Sequence, residues 1–137
     1  MILDSDTLCD LEHIRASILR ELEGVEAIYL FGSVAQGNPD ASSDYDIAVV
    51  MRKIPPGYIQ KISAIRYALM GMIGRSIDII ILDYEDLTVA SPIVYEIVQH
   101  NRLVFGRDIL MQLPTGIVKG VQPIVMDGTT IGYHVGS

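Results

Sequence analysis

Two carboxylates, Asp44 and Asp46, stand two residues apart at the head of an apolar run that reads as a strand, Asp44 to Met51. Side chains alternate across a strand, so both point to one face, roughly 7 Å apart along it. Ionised together they repel, and a bound divalent cation relieves that repulsion. Oxygen donors of this kind suit Mg²⁺ or Mn²⁺. An isolated D-x-D also fits a solvated strand end, so context decides. One contextual residue is Asp78, inside Ser76-Ile77-Asp78-Ile79-Ile80-Ile81-Leu82. A charge in a run that reads as buried strand needs a partner or a metal. Pairing with Arg75 near the strand start is the local alternative. The other contextual feature is Phe31-Gly32-Ser33, where a hydrophobic strand runs into a glycine turn. Glycine allows close backbone approach to a phosphate, and free N–H groups with a serine hydroxyl can bind its oxygens. Alone, the pair is equally a plain turn. It is neither a P-loop, which ends in GK[ST], nor G-x-G-x-x-G.

The elements that would position these residues follow from periodicity. Leu8, Leu11, Ile14, Ile18 and Leu22 recur at three- and four-residue steps and predict a helix over 7–23, with Thr7 and Asp10 resembling a capping box and Gly24 as a stop. Val25 to Phe31 reads as a buried strand. Residues 32–43, rich in Gly, Asn, Pro, Asp and Ser, read as loop. A second helix is predicted over 58–73, with Ile62, Ile65, Leu69 and Met72 on one face, and a third strand over 76–82. Ser91-Pro92 opens a short helix over 91–100, and 103–105 reads as an edge strand. Asp127-Gly128 between 121–126 and 129–135 signals a hairpin. The order α-β-loop-β-α-β-α plus hairpin predicts an α/β (α+β) domain: a small mixed sheet flanked by helices, with an extra C-terminal β-hairpin.

Gly32-Ser33, ten residues, then Asp44-Tyr45-Asp46 resembles the signature of the DNA polymerase β-like nucleotidyltransferases. Leu30 to Gly37 with Ser43 to Ile47 looks like the minimal nucleotidyltransferase (MNT) branch. Asp78 matches that family's third carboxylate. Glu96-Ile97-Val98 and Leu103-Val104-Phe105 are similar to its closing helix and strand. The resemblance spans roughly residues 8–108, giving a nucleotidyltransferase domain over 1–110 and an extension of unknown role over 111–137. The branch usually has Arg at the position of Gln36; glutamine can still donate to a phosphate.

The resemblance implies a catalytic set of Asp44, Asp46 and Asp78, all three also ligands of two Mg²⁺ ions (Mn²⁺ as substitute). It implies nucleotide contacts from Gly32, Ser33 and Gln36, with ATP as substrate. NMP, taken to be AMP, would pass to a hydroxyl acceptor. MNT proteins are commonly antitoxins of HEPN RNase toxins, so a partner tyrosine is the expected acceptor. The chain does not read as the toxin itself, because no Arg is followed by His at the four-to-six-residue interval of HEPN nucleases. Two alternatives stand beside this: modification of a small molecule such as an antibiotic, and a catalytically weak antitoxin acting by contact.

Composition bounds these readings. The chain has 137 residues, one ordinary domain. Its net charge is -7 with scattered bases, which argues against a long nucleic-acid substrate but not against a metal-bound nucleotide. No apolar run reaches the roughly 18 residues of a membrane span, and the acidic N-terminus lacks a signal peptide's basic region. The single Cys9 allows no internal disulfide. A cytoplasmic location is expected. Cys9, Met70 and Met72 read as core residues, and Asp83, Glu85 and Asp86 as a solvated turn. Tyr29 and Tyr45 flank the candidate site, and strand packing explains them as well as a base contact does. The three histidines lack metal-ligand spacing. The hairpin's apolar residues would want covering, and a homo-oligomer contact is one way to do so.

Overall fold

A computed structural model describes residues 3–37, 39, 43–89, 91–110, 121–126 and 129–135, the last two segments as backbone. Helix α1 spans Ser5–Glu21 and strand β1 Val25–Phe31. Short helix α2 is Gly32–Gln36, and β2 is Tyr45–Met51. Helix α3 is Tyr58–Leu69 and β3 Ile77–Asp83. A 3-10 turn at Asp86–Thr88 precedes α4, Pro92–Gln99, and β4, Asn101–Gly106. Strands β5, Val121–Met126, and β6, Thr129–Val135, pair antiparallel as a separate hairpin. The expected Asp127-Gly128 turn lies outside the described residues.

The four-stranded sheet has the order β3-β2-β1-β4. β1 is antiparallel to both β2 and β4, and β2 is parallel to β3. A parallel pair needs a long crossover, and α3 supplies it. The mixed sheet flanked by helices is the architecture expected. Helix α1 is capped one turn earlier than predicted: Asp4 is the N-cap and accepts from the Thr7 backbone N–H at 2.7 Å. Ser91 caps α4 by accepting from the Val94 N–H at 3.3 Å, with Pro92 in the first turn. The stretch after Gly32 is not all loop. Residues 32–36 form α2, closed by Gly37 in the left-handed conformation.

Both sheet faces are covered, which explains why the strands read as nearly continuous apolar runs. One face carries Ile28, Leu30, Ile47, Val49 and Ile79 against Ile14 and Ile18 of α1 and Ile65 and Leu69 of α3. The other carries Ala27, Tyr29, Phe31, Ala48, Val50 and Leu82 against Leu87, Val94, Ile97, Ile109 and Leu110. No helix among the described residues is long and apolar enough to cross a membrane. Cys9 is exposed, and so are Met70 and Met72, 74% and 54% accessible. These three are therefore not core. Helix α3 stops at Leu69, so the stripe predicted to continue through Met72 loses its helical register.

Candidate active site

The carboxylates gather where β1 ends and β2 and β3 begin. Asp46 pairs in register with Phe31 on one side and Asp78 on the other, and Phe31 pairs with Asn101 of β4. These four residues lie abreast across the sheet, on the face that α4 covers. Paired residues of neighbouring strands share a face, so Asp46 and Asp78 are set side by side by strand register alone. Asp44 precedes β2 and is exposed. It is the outermost of the three, not a second in-strand carboxylate.

Asp46 is half-buried. Burial foremost, then the charges of Asp78, Glu96 and Asp44, pushes its carboxyl up to about 6. Glu96 reaches this group from α4, and spacing did not single it out. It is the only charged residue in Pro92-Ile93-Val94-Tyr95-Glu96-Ile97-Val98-Gln99, and that is the sequence signal that could have found it. Asp78 is not buried as its strand context suggested. Its side chain is 63% exposed and meets Arg66 Nη2 at 3.4 Å, not Arg75. Arg75 instead donates to the Ser43 carbonyl at 3.0 Å and lies over the Tyr45 ring.

Gly32 has φ +76, and a Cβ built on it would collide with Asp46 Oδ2. The glycine is thus required twice, by conformation and by contact with the central carboxylate. Helix α2 begins there with no side chain capping it. The first N–H groups of a helix lack intrahelical acceptors and are suited to phosphate oxygens. Ser33 Oγ donates to Ser43 Oγ at 3.0 Å, which ties the turn to the approach into β2. Gln36 lies one turn after Ser33 on the same helix, half-buried. The register and the turn therefore bring Gly32, Ser33, Asp46 and Asp78 together, with Asp44 and Gln36 at the margin.

The tyrosines beside the site are structural. Tyr45 is 1% exposed, points to the opposite face and donates to Asp10 of α1 at 2.6 Å. Tyr29 donates to Asp108 at 2.8 Å and accepts from the Leu110 N–H at 3.2 Å. Asp83 and Asp86 are likewise more than a solvated turn: each carboxylate accepts from the other's backbone N–H, at 2.7 and 3.0 Å.

The donor set fits a hard divalent cation. Asp46 is crowded by carboxylates, and the cation on this cluster, Arg66, sits on Asp78. Among the described residues no three potential ligands already stand in a metal-ready group. Mg²⁺ is usually bound by one or two carboxylates together with substrate phosphates, a smaller demand on the protein than a three-ligand cage. The Arg66–Asp78 pair is no obstacle. Half-exposed pairs are worth about 0–1 kcal/mol, so Asp78 can turn inward at small cost.

Comparison with known proteins bears on the family and the fold. The family model described as polymerase beta, nucleotidyltransferase, matches residues 13–110. The chain belongs to that family, and it is accordingly a nucleotidyltransferase. A Methanocaldococcus jannaschii protein named as a protein adenylyltransferase is 27% identical over 110 residues, covering 74% of this chain and 75% of the relative. Among solved structures, a chain of a toxin–antitoxin complex with AMP-PNP is 20% identical, covers 80% of this chain and 81% of its own, and superposes with a TM-score of 0.57. A chain of the complex between tri-AMPylated Shewanella oneidensis HEPN toxin and MNT antitoxin is 19% identical, with coverages of 72% and 71% and a TM-score of 0.51. At these identities the structural likeness establishes the fold.

Proposed function

We propose that this chain transfers AMP from ATP to a hydroxyl of a protein partner, as the antitoxin of a HEPN-type RNase, with a tyrosine as acceptor. The observation that carries the chemistry is the side-by-side placement of Asp46 and Asp78 beneath the uncapped Gly32-Ser33 helix start. The adenylyltransferase relative and the fold shared with chains of toxin–antitoxin complexes support the nucleotide and the partner. Asp44, Asp46 and Asp78 would hold Mg²⁺, which would supply charge neutralisation to the triphosphate. The N–H groups of α2 and the Ser33 hydroxyl bind phosphate oxygens, and Gln36 donates from the margin. Asp78, exposed within the strand pair, receives the acceptor hydroxyl's proton as the hydroxyl oxygen attacks the α-phosphorus. A new O–P bond forms, the bond to the β-phosphate oxygen breaks, and pyrophosphate leaves. Most of the rate gain comes from positioning.

The test is incubation of the chain with labelled ATP, Mg²⁺ and its cognate protein partner. Label should appear on the partner and be abolished by Tyr→Phe mutation of its acceptor. Asp46→Asn should lower transfer at least 100-fold while circular dichroism stays unchanged. Transfer by Asp46→Asn at the normal rate would refute the site assignment, and label on a small molecule would move the acceptor to that class.

A further inference from the structure

Between Asp46 and Asp78 the chain contains no Asp or Glu, although it has 17 elsewhere or at these boundaries, and this stretch holds Arg52, Lys53, Lys61, Arg66 and Arg75, five of its ten bases. The bases scattered by sequence distance are thus concentrated on one crossover, whose helix is α3. Helix α3 has one face in the core, through Ile65 and Leu69. Its other face presents Ile59, Ser63, Arg66 and Tyr67, at helical spacing, with Met70 at the C-cap. Ile59 is 62% exposed, Tyr67 78% and Met70 74%. Beyond that end lies a cavity of about 460 Å³ lined by Arg66, Met70, Arg75 and Ser76, over an apolar floor of Leu69 and Ile77. Arg66 connects the cavity to the active site, since the same guanidinium contacts Asp78.

Resting on the adenylyltransferase reading above, we propose that the outer face of α3 and this cavity dock the acceptor, an acidic, amphipathic protein segment that delivers its hydroxyl to Asp78. Charge complementarity favours an acidic occupant: the charged side chains lining the cavity are Arg66 and Arg75, with no Asp or Glu among its described lining residues. The exposed Ile59, Tyr67 and Met70 favour protein over nucleic acid, because aromatic and methionine side chains are what protein interfaces enrich. An acidic side chain entering the cavity competes with Asp78 for Arg66. Docking would thereby leave Asp78 free to turn towards Asp46.

The experiment uses the full chain, labelled ATP and Mg²⁺ with three probes: two amphipathic peptides sharing one tyrosine and the same apolar residues, one with Glu and one with Lys at its polar positions, and a single-stranded RNA. The Glu peptide should be labelled at least tenfold faster than the Lys peptide. The double variant Tyr67→Glu, Met70→Glu should lose that labelling at least tenfold, with Mg-ATP binding by calorimetry unchanged. Leu8→Glu, at an exposed apolar residue in the groove between α1 and β4, should leave it intact. Equal labelling of the two peptides, preferential labelling of RNA, an unaffected double variant, or no peptide label despite bound Mg-ATP would each overturn the docking surface. Failure of the unaltered chain to bind Mg-ATP would overturn the adenylyltransferase reading beneath it.

Discussion

At the scale of the residue, Asp46 carries the most physical tension. Its carboxyl is pushed up to about 6 by burial and by Asp78, Glu96 and Asp44, against about 3.9 in an unfolded chain. A raised carboxylate favours the fold while protonated. The stability it contributes is full below about pH 4 and is lost as pH rises through about 6. Two units correspond to about 2.7 kcal/mol, and the group's partial access to water reduces that to roughly 1–2 kcal/mol. Asp46→Asn should therefore raise the melting temperature in metal-free buffer at pH 7.5 by about 3–6 °C, and leave it unchanged at pH 4. Mg²⁺ added to the unaltered chain at pH 7.5 should produce a rise in the same direction. Melting curves at the two pH values decide the matter: a variant no more stable at pH 7.5 would mean that the carboxylate crowding is relieved by solvent. The D-x-D spacing and Gly32-Ser33 were readable in the sequence. The contribution of Glu96 was not, because it arises from α4, fifty residues away.

At the scale of the element, short-range signals served well where local chemistry decides. The apolar stripe of α1, the Ser91-Pro92 start of α4 and the branched residues of the strands predicted elements within a few residues of their ends. They failed where tertiary contact decides. Helix α2 was hidden because a five-residue helix has too few turns to show a stripe. The stretch 107–110 after β4 has no regular ladder, and a side chain of β1 holds it. Tyr29 bonds both Asp108 and the Leu110 N–H from within the core, and burial foremost pushes its hydroxyl up to about 12. Tyr29→Phe leaves the buried Leu110 N–H without that acceptor, at a cost of about 1–3 kcal/mol. Denaturant titration should show this loss, and hydrogen exchange at the Leu110 amide should accelerate. Unchanged exchange there would mean that other contacts hold the segment.

At the scale of the whole molecule, one sheet serves two cores, and the site occupies the open end of one of them. Ile47 and Asp46 are neighbours in sequence but belong to different faces. Ile47 is fully buried against α1 and α3. Ile47→Ala should cost about 2–5 kcal/mol, a large share of the roughly 5–15 kcal/mol that holds a domain together. Chemical denaturation measures it, and a loss below about 1 kcal/mol would show that this face repacks freely. Inactivity of such a variant would report unfolding, whereas inactivity of Asp46→Asn with an intact fold reports chemistry.

The sequence by itself determined the longer elements, the fold class and the order Gly-Ser, Asp-x-Asp, Asp, because these rest on periodicity and on spacing along the chain. Only the tertiary structure decided which carboxylates meet. Cross-strand register sets Asp46 beside Asp78 and leaves Asp44 outside the strand. Packing of α4 brings in Glu96, and the position of α3 gives Asp78 to Arg66 rather than Arg75. Exposure was decided at the same level: Asp78, Cys9, Met70 and Met72 all face outward. Burial depends on what packs over a residue, and charge interaction on distance through space. Neither quantity is a property of a residue and its near neighbours in the chain.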